Sequence, residues 1–158
     1  MPKKTRRKFL TAVPAMALAA PAAAQQKPPS PSSSGKTVYR KSSGPLKPEG
    51  GAPLYSLELS FGDLVFVSGK GAGVNAKGDI KAQTTRVLDL IEESLKTAGS
   101  SMAKTLKVNV YLADIKDYAG MNEAYLGRFG SDPPVRTTVA VSALPDGSLV
   151  EIDCIAHR

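Results

Sequence analysis

The chain has one cysteine, one histidine and no tryptophan in 158 residues. A lone cysteine, Cys154, cannot form an intramolecular disulfide, so the fold must be held by its core. Cys154 sits in an apolar, strand-like run and reads as a buried, inert thiol. The lone histidine, His157, is next to last and reads as a solvated tail residue. With no Cys/His cluster, a zinc site lacks its usual ligand set. With no histidine in the body of the domain, a Ser-His-Asp triad is excluded. Phosphate loops are missing too. The segment "SGKGAG" (Ser68–Gly73) follows a strand-like run, but no Ser or Thr follows its lysine and the G-x-x-x-x-G-K spacing is absent. The dinucleotide pattern G-x-G-x-x-G is not met either. The segment reads as a tight turn whose glycines would let a ligand approach the backbone closely.

Positive charge looks abundant, with a formal net charge of +7 and an isoelectric point near 9.6. Much of it is concentrated in residues 1–24, "MPKKTRRKFLTAVPAMALAAPAAA". A basic start, a short apolar stretch and a small-residue end follow one another there, the order of a secretory signal peptide. Thr5-Arg6-Arg7-Lys8-Phe9-Leu10 fits the twin-arginine version. Cleavage is expected between Ala24 and Gln25, giving an exported or periplasmic protein; an uncleaved anchor or a chance basic start is the alternative. The apolar stretch is shorter than the about 20 residues that span a bilayer, so no stable membrane span is expected. Five of the 21 basic residues lie in this leader, and removing them leaves 16 against 14 acidic residues, a net charge of +2. No basic stripe with interleaved aromatics follows residue 48, so nucleic acid is not an expected partner. A twin-arginine substrate crosses the membrane already folded, which also fits the missing disulfide.

Residues 25–50 are rich in Pro, Ser, Gly and Lys and read as a solvated linker, with one weak edge strand near Lys36–Lys41. Residues 51–158 form the compact domain. Leu54–Leu59 and Asp63–Ser68 read as strands. Lys81–Ala98 is the clearest helix, with Val87, Leu90, Ile91, Leu95 and Ala98 on one face and Gly99 placed to end it. Lys104–Leu112 alternates, with Leu106, Val108, Val110 and Leu112 on one face. Tyr118–Phe129 reads as a second helix, stacking Met121, Tyr125 and Arg128/Phe129. Pro133 and Pro134 break the chain. Val135–Ser142 and Leu149–Ala156 read as strands joined by "ALPDGS", whose Pro-Asp-Gly is turn chemistry. This order predicts an α+β layer, with two helices on one face of a mixed sheet. The last strands are too apolar to leave the other face in water, so a homo-oligomer is the economical inference.

Two charged residues stand out in the last strands. Arg136 shares a face with Thr138 and Ala140. Glu151 shares one with Asp153 and Ile155, opposite Ile152, Cys154 and Ala156. A Pro-Asp-Gly hairpin would bring Arg136 and Glu151 together. They would then form an ordinary cross-strand ion pair, worth about 0–1 kcal/mol if exposed, or a functional pair.

The order of these segments resembles the Rid (RidA/YjgF-like, reactive intermediate deaminase) family. The resemblance runs from Tyr55 through Ser68-Gly69, "AQTTRVLDLIEESLKTAGSS", "VNVYLADIKDY" and "MNEAYLGRF" to "PVRTTVAV…LVEIDCIA". It implies a chorismate-mutase-like α+β fold, a homotrimer with clefts between subunits, and hydrolysis of 2-imino or enamine acids to 2-keto acids and ammonia without a cofactor. Carried onto this sequence, Arg136 holds the substrate carboxylate, a task suited to guanidinium. Glu151 serves the water and returns a proton to the departing amine. Ser68, Gly69 and Thr138 contact the substrate, and Tyr55 and Asn122 wall the cleft. Lys70 stands where the family commonly has glutamine, Thr138 where cysteine is frequent, and Pro53-Leu54 precede Tyr55 in place of Gly-Pro. A non-catalytic trimer that binds small carboxylates is the alternative function.

Overall fold

The computed structural model describes residues 35–39 and 54–158. The leader and most of the linker therefore lie outside the described residues. Six strands and two helices follow in order: β1 (Lys36–Tyr39), β2 (Glu58–Phe61), β3 (Leu64–Gly71), α1 (Ile80–Thr97), β4 (Thr105–Leu112), α2 (Tyr118–Tyr125), β5 (Val135–Ala140) and β6 (Val150–His157). They form one sheet in the order β1-β2-β3-β6-β4-β5, antiparallel except for the parallel pair β4–β5. Both helices pack on the same face. This is the expected α+β layer.

Helix α1 forms where its face and its caps agree. The Asp79 side chain accepts the Ala82 N–H at 2.9 Å, which satisfies a donor that the first turn leaves without a partner. Gly99, at φ +77°, closes the other end, and Ser100 N–H reaches back to the Leu95 carbonyl at 2.8 Å. Between the caps, Val87, Leu88, Ile91 and Leu95 are fully buried. They meet Val65 and Val67 of β3, Val108, Val110 and Leu112 of β4, and Val150, Ile152, Cys154 and Ala156 of β6. Among the described residues no helix is long and apolar enough to cross a membrane.

Several local expectations are corrected. β5 and β6 are not a hairpin, because β4 lies between them. Helix α2 returns the chain parallel to β4, so β5 takes the edge and the nine-residue connection carries the chain past β4 to the centre. Pro145–Gly147 does turn, with Asp146 and Gly147 at positive φ, but it closes no two-stranded ribbon. "SGKGAG" is not a tight turn either, since β3 runs through Gly71. Leu106 leaves the buried face: the β4–β6 register shifts between Thr105 and Lys107, which turns Leu106 outward and buries Thr105. Helix α2 ends at Tyr125, where Leu126 turns extended (ψ 130°) and Gly127 takes positive φ. Phe129 still reaches the core, while Arg128 instead pairs with Asp89 at 2.7 Å and Glu92 at 3.7 Å on α1. The first strand of the domain is Glu58–Phe61, leaving Leu54–Leu57 outside it.

The sheet face away from the helices carries exposed apolar side chains. Phe61 faces Leu64 across β2–β3, and Val135 and Val139 line β5. This is the face that the sequence pattern expects a second copy to cover.

Candidate functional site

Strand alternation decides which candidate residues can meet. On β4, Val108 and Val110 point into the core, and Asn109 and Tyr111 point the other way. Arg136 stands opposite Val108 and Thr138 opposite Val110, so both face the helices. Glu151 stands opposite Tyr111 and Asp153 opposite Asn109, so both face away from the helices. Within one chain, Arg136 and Glu151 therefore lie on opposite faces of the sheet, on strands separated by β4. The cross-strand ion pair does not form, and the expectation that a hairpin brings the two together is overturned.

Arg136 is instead held by aromatic rings. Its guanidinium carbon lies 4.6 Å from the Tyr125 ring centroid and 5.9 Å from that of Tyr118, both on α2. Its Nη2 donates to the Tyr118 hydroxyl at 3.4 Å. No carboxylate pairs with it among the described residues. Thr138, two positions on, keeps its hydroxyl buried without a hydrogen-bond partner among the described residues. Asn122 lies half-buried on α2, where its carbonyl accepts the Leu126 N–H. Arg136, Thr138 and Asn122 thus belong to one end of the helix-covered face. The two tyrosines were missed by sequence reasoning, though their spacing was a signal: seven residues apart on a helix is two turns, hence one face.

The second group surrounds Glu151 on the open face. β3 carries a bulge opposite β6. Val67 pairs with Cys154 and Lys70 with Ile152, so Ser68 and Gly69 share the place opposite Asp153. The Glu151 carboxylate lies directly against Gly69, where a methyl group would overlap Oε1. The Ser68 hydroxyl is buried without a partner among the described residues. Asp153 is fixed from β4 at both oxygens, by Asn109 Nδ2 at 2.9 Å and the Tyr111 hydroxyl at 3.0 Å. Burial, and secondarily the Asp153 charge, push the Glu151 carboxyl above the ordinary glutamate range. Tyr55 lies in the bend before β2, half exposed. Lys70 faces the helices, its Nζ 4.0 Å from Glu58 Oε2, with burial lowering its pKa against the pull of Glu58. It is on the opposite face from Glu151. Cys154 is buried and its thiol is pushed up to about 12, chiefly by desolvation, the inert thiol expected.

A mixed sheet with two helices on one face, and an edge arginine that pairs with no described carboxylate, is an α+β domain of the kind seen in Rid proteins. The model of the Endoribonuclease L-PSP family matches residues 48–158. A RutC family protein of Pyrococcus abyssi is 42% identical over 109 residues, covering 66% of this chain and 86% of that protein. The mitochondrial protein mmf2 of Schizosaccharomyces pombe is 41% identical over 108 residues, covering 65% of this chain and 86% of its own. Among solved structures, the Rid family protein YyfA of Yersinia pestis superposes with a TM-score of 0.69 at 33% identity, over 78% of this chain and 100% of that one. RidA from a Psychrobacter species superposes at 0.66 with 29% identity, over 77% and 99%. The chain belongs to this Endoribonuclease L-PSP family, the RutC/Rid family of its relatives.

The raised Glu151 pKa has a sign. The folded state favours the protonated carboxyl, so this contribution to stability is present below the ordinary glutamate range and is lost as pH rises through the raised value. Glu151→Gln is therefore expected to melt above wild type at pH about 7, with the gap closing as pH falls toward about 4. Thermal unfolding of both proteins across that range checks it. A gap independent of pH would show the carboxyl to be unperturbed.

Proposed function

We propose that this protein hydrolyses reactive 2-imino or enamine acids to 2-keto acids and ammonia. The observation that carries the reading is Arg136: a half-buried guanidinium stacked on rings and paired with no described carboxylate, its donors other than the one given to the Tyr118 hydroxyl open to an incoming carboxylate. Water adds to the imine carbon, the C–N bond then breaks, and the keto acid and ammonia leave. Glu151, with its raised pKa, takes a proton from the water and returns it to the departing nitrogen. Arg136 and Glu151 on opposite sheet faces cannot both reach one small substrate within a chain. A homotrimer, the assembly typical of the family, would bring Arg136 of one subunit to Glu151 of the next and cover the apolar open face.

Hydrolysis is tested by generating imino acids with an amino-acid oxidase in the presence of semicarbazide, which traps free imine. Wild type is expected to suppress trapping. Arg136→Ala is expected to lose this activity by about 10- to 100-fold, the scale of a charge-assisted contact. If wild type leaves trapping unchanged while a 2-keto acid still binds in an Arg136-dependent way, the protein is the non-catalytic carboxylate binder instead. Gly69→Ala checks the role of Glu151. It is expected to keep the fold but push the carboxylate aside, lowering turnover about a hundredfold, the same loss expected of Glu151→Gln. Full activity in Gly69→Ala would remove Glu151 from the mechanism.

The leader pattern in residues 1–24 supports export of the folded domain. The imine would then come from an oxidase acting on amino acids outside the cytoplasm, because imines hydrolyse too quickly to travel far. N-terminal sequencing of the protein recovered from the periplasm is expected to begin at Gln25. Full-length protein confined to the cytoplasm would overturn export.

A further inference from the structure

We infer that Tyr118 and Tyr125 are positioning residues that hold the Arg136 guanidinium ready for a carboxylate. The inference rests on the clamp reading above and adds to it what keeps the clamp in place. A free arginine side chain carries about 2 kcal/mol of rotamer entropy, and a clamp that must find its geometry on each encounter binds weakly. An acidic partner would fix it but would also occupy the N–H donors that the ligand needs. A ring face attracts the cation through its quadrupole and leaves the donor edges open.

The two rings do different things. Tyr125 is a fixed floor. It is 8% exposed, packs on Phe129 with centroids 4.8 Å apart, and lies 4.6 Å beneath the guanidinium. Its hydroxyl is buried without a partner among the described residues, and desolvation pushes its pKa up to about 12, so it stays a neutral phenol. The ring, and not the hydroxyl, is then what Arg136 uses. Tyr118, the first residue of α2, is 43% exposed and acts from the side, with its ring at 5.9 Å and its hydroxyl accepting from Nη2. Helix α2 ties the pair together, so the floor and the side wall move as one piece.

The test compares Tyr125→Leu, Tyr125→Phe, Tyr118→Leu and Arg136→Ala. Each is read by the affinity for pyruvate in calorimetry and by KM and kcat with the oxidase-generated imine. Circular dichroism and oligomeric state report whether each variant folds. Tyr125→Leu is expected to weaken pyruvate and raise KM by about 2- to 30-fold, the range of one cation–π contact, with kcat little changed. Tyr118→Leu is expected at the low end of that range. Tyr125→Phe should restore wild-type values, which a role for the hydroxyl would not allow. Folded leucine variants with wild-type pyruvate affinity, or a phenylalanine variant as weak as the leucine one, would overturn the inference. If Tyr125→Leu does not fold, the exposed Tyr118→Leu decides: unchanged affinity there overturns it as well. The two readings fail separately. Unchanged pyruvate affinity in Arg136→Ala removes the clamp itself. A loss in Arg136→Ala with none in either leucine variant removes only the tyrosines.

Discussion

Strand β6 runs through the middle of the sheet, with Val150, Ile152, Cys154 and Ala156 each at 2% exposure or less beneath the helices. Such a strand must be paired on both edges and alternate strictly. A slip of one residue would turn four core side chains out to the open face and bring Glu151 and Asp153 under α1. β3 and β4 supply the two edges, and that choice fixes the rest. It forces β5 to the outside of β4, where its own alternation points Arg136 toward α2. It also presents Glu151 to the bulge of β3. Both charged groups of the proposed site are consequences of burying one apolar strand.

The two groups meet different electrostatic conditions. Arg136 is neutralised by no described carboxylate and held by ring faces, which leaves its capacity for an anion unspent. Among the described residues Glu151 has no cation beside it. It lies against the Gly69 backbone near a fixed Asp153, and both burial and that charge raise its affinity for a proton. A cation open to carboxylates and a carboxylate open to protons are complementary needs of imine hydrolysis. One chain keeps them on opposite faces, which is why a second copy enters the reading as a chemical requirement as well as a cover for Phe61, Val135 and Val139.

The bulge at Ser68–Gly69 shows how a small irregularity divides roles. One extra residue in β3 places Gly69 where the Glu151 carboxylate needs room and sends Lys70 to the opposite face, toward Glu58. A regular strand would give neither result. A Cβ at this position would occupy the space of Oε1, so glycine leaves the carboxylate where it lies. The lysine, which stands where the family commonly has glutamine, faces the helices beside Glu58.

What the sequence determined by itself was local and periodic. The α1 stripe of Val87, Ile91 and Leu95, its stop at Gly99, the division of β6 between Ile152/Cys154 and Glu151/Asp153, and the shared face of Arg136 and Thr138 all follow from periods of 3.6 and 2. Those periods are printed in the order of residues. The helix layer and the uncovered sheet face followed from the same patterns. Strand order was not printed there. The Pro-Asp-Gly segment has the chemistry of a hairpin turn whether or not the flanking strands pair, so only the tertiary structure could place β4 between them. The tyrosine stack on Arg136 was hidden for the same reason. Its partners lie 11 and 18 positions away in sequence, and contacts at that distance are chosen by packing, which no local rule contains.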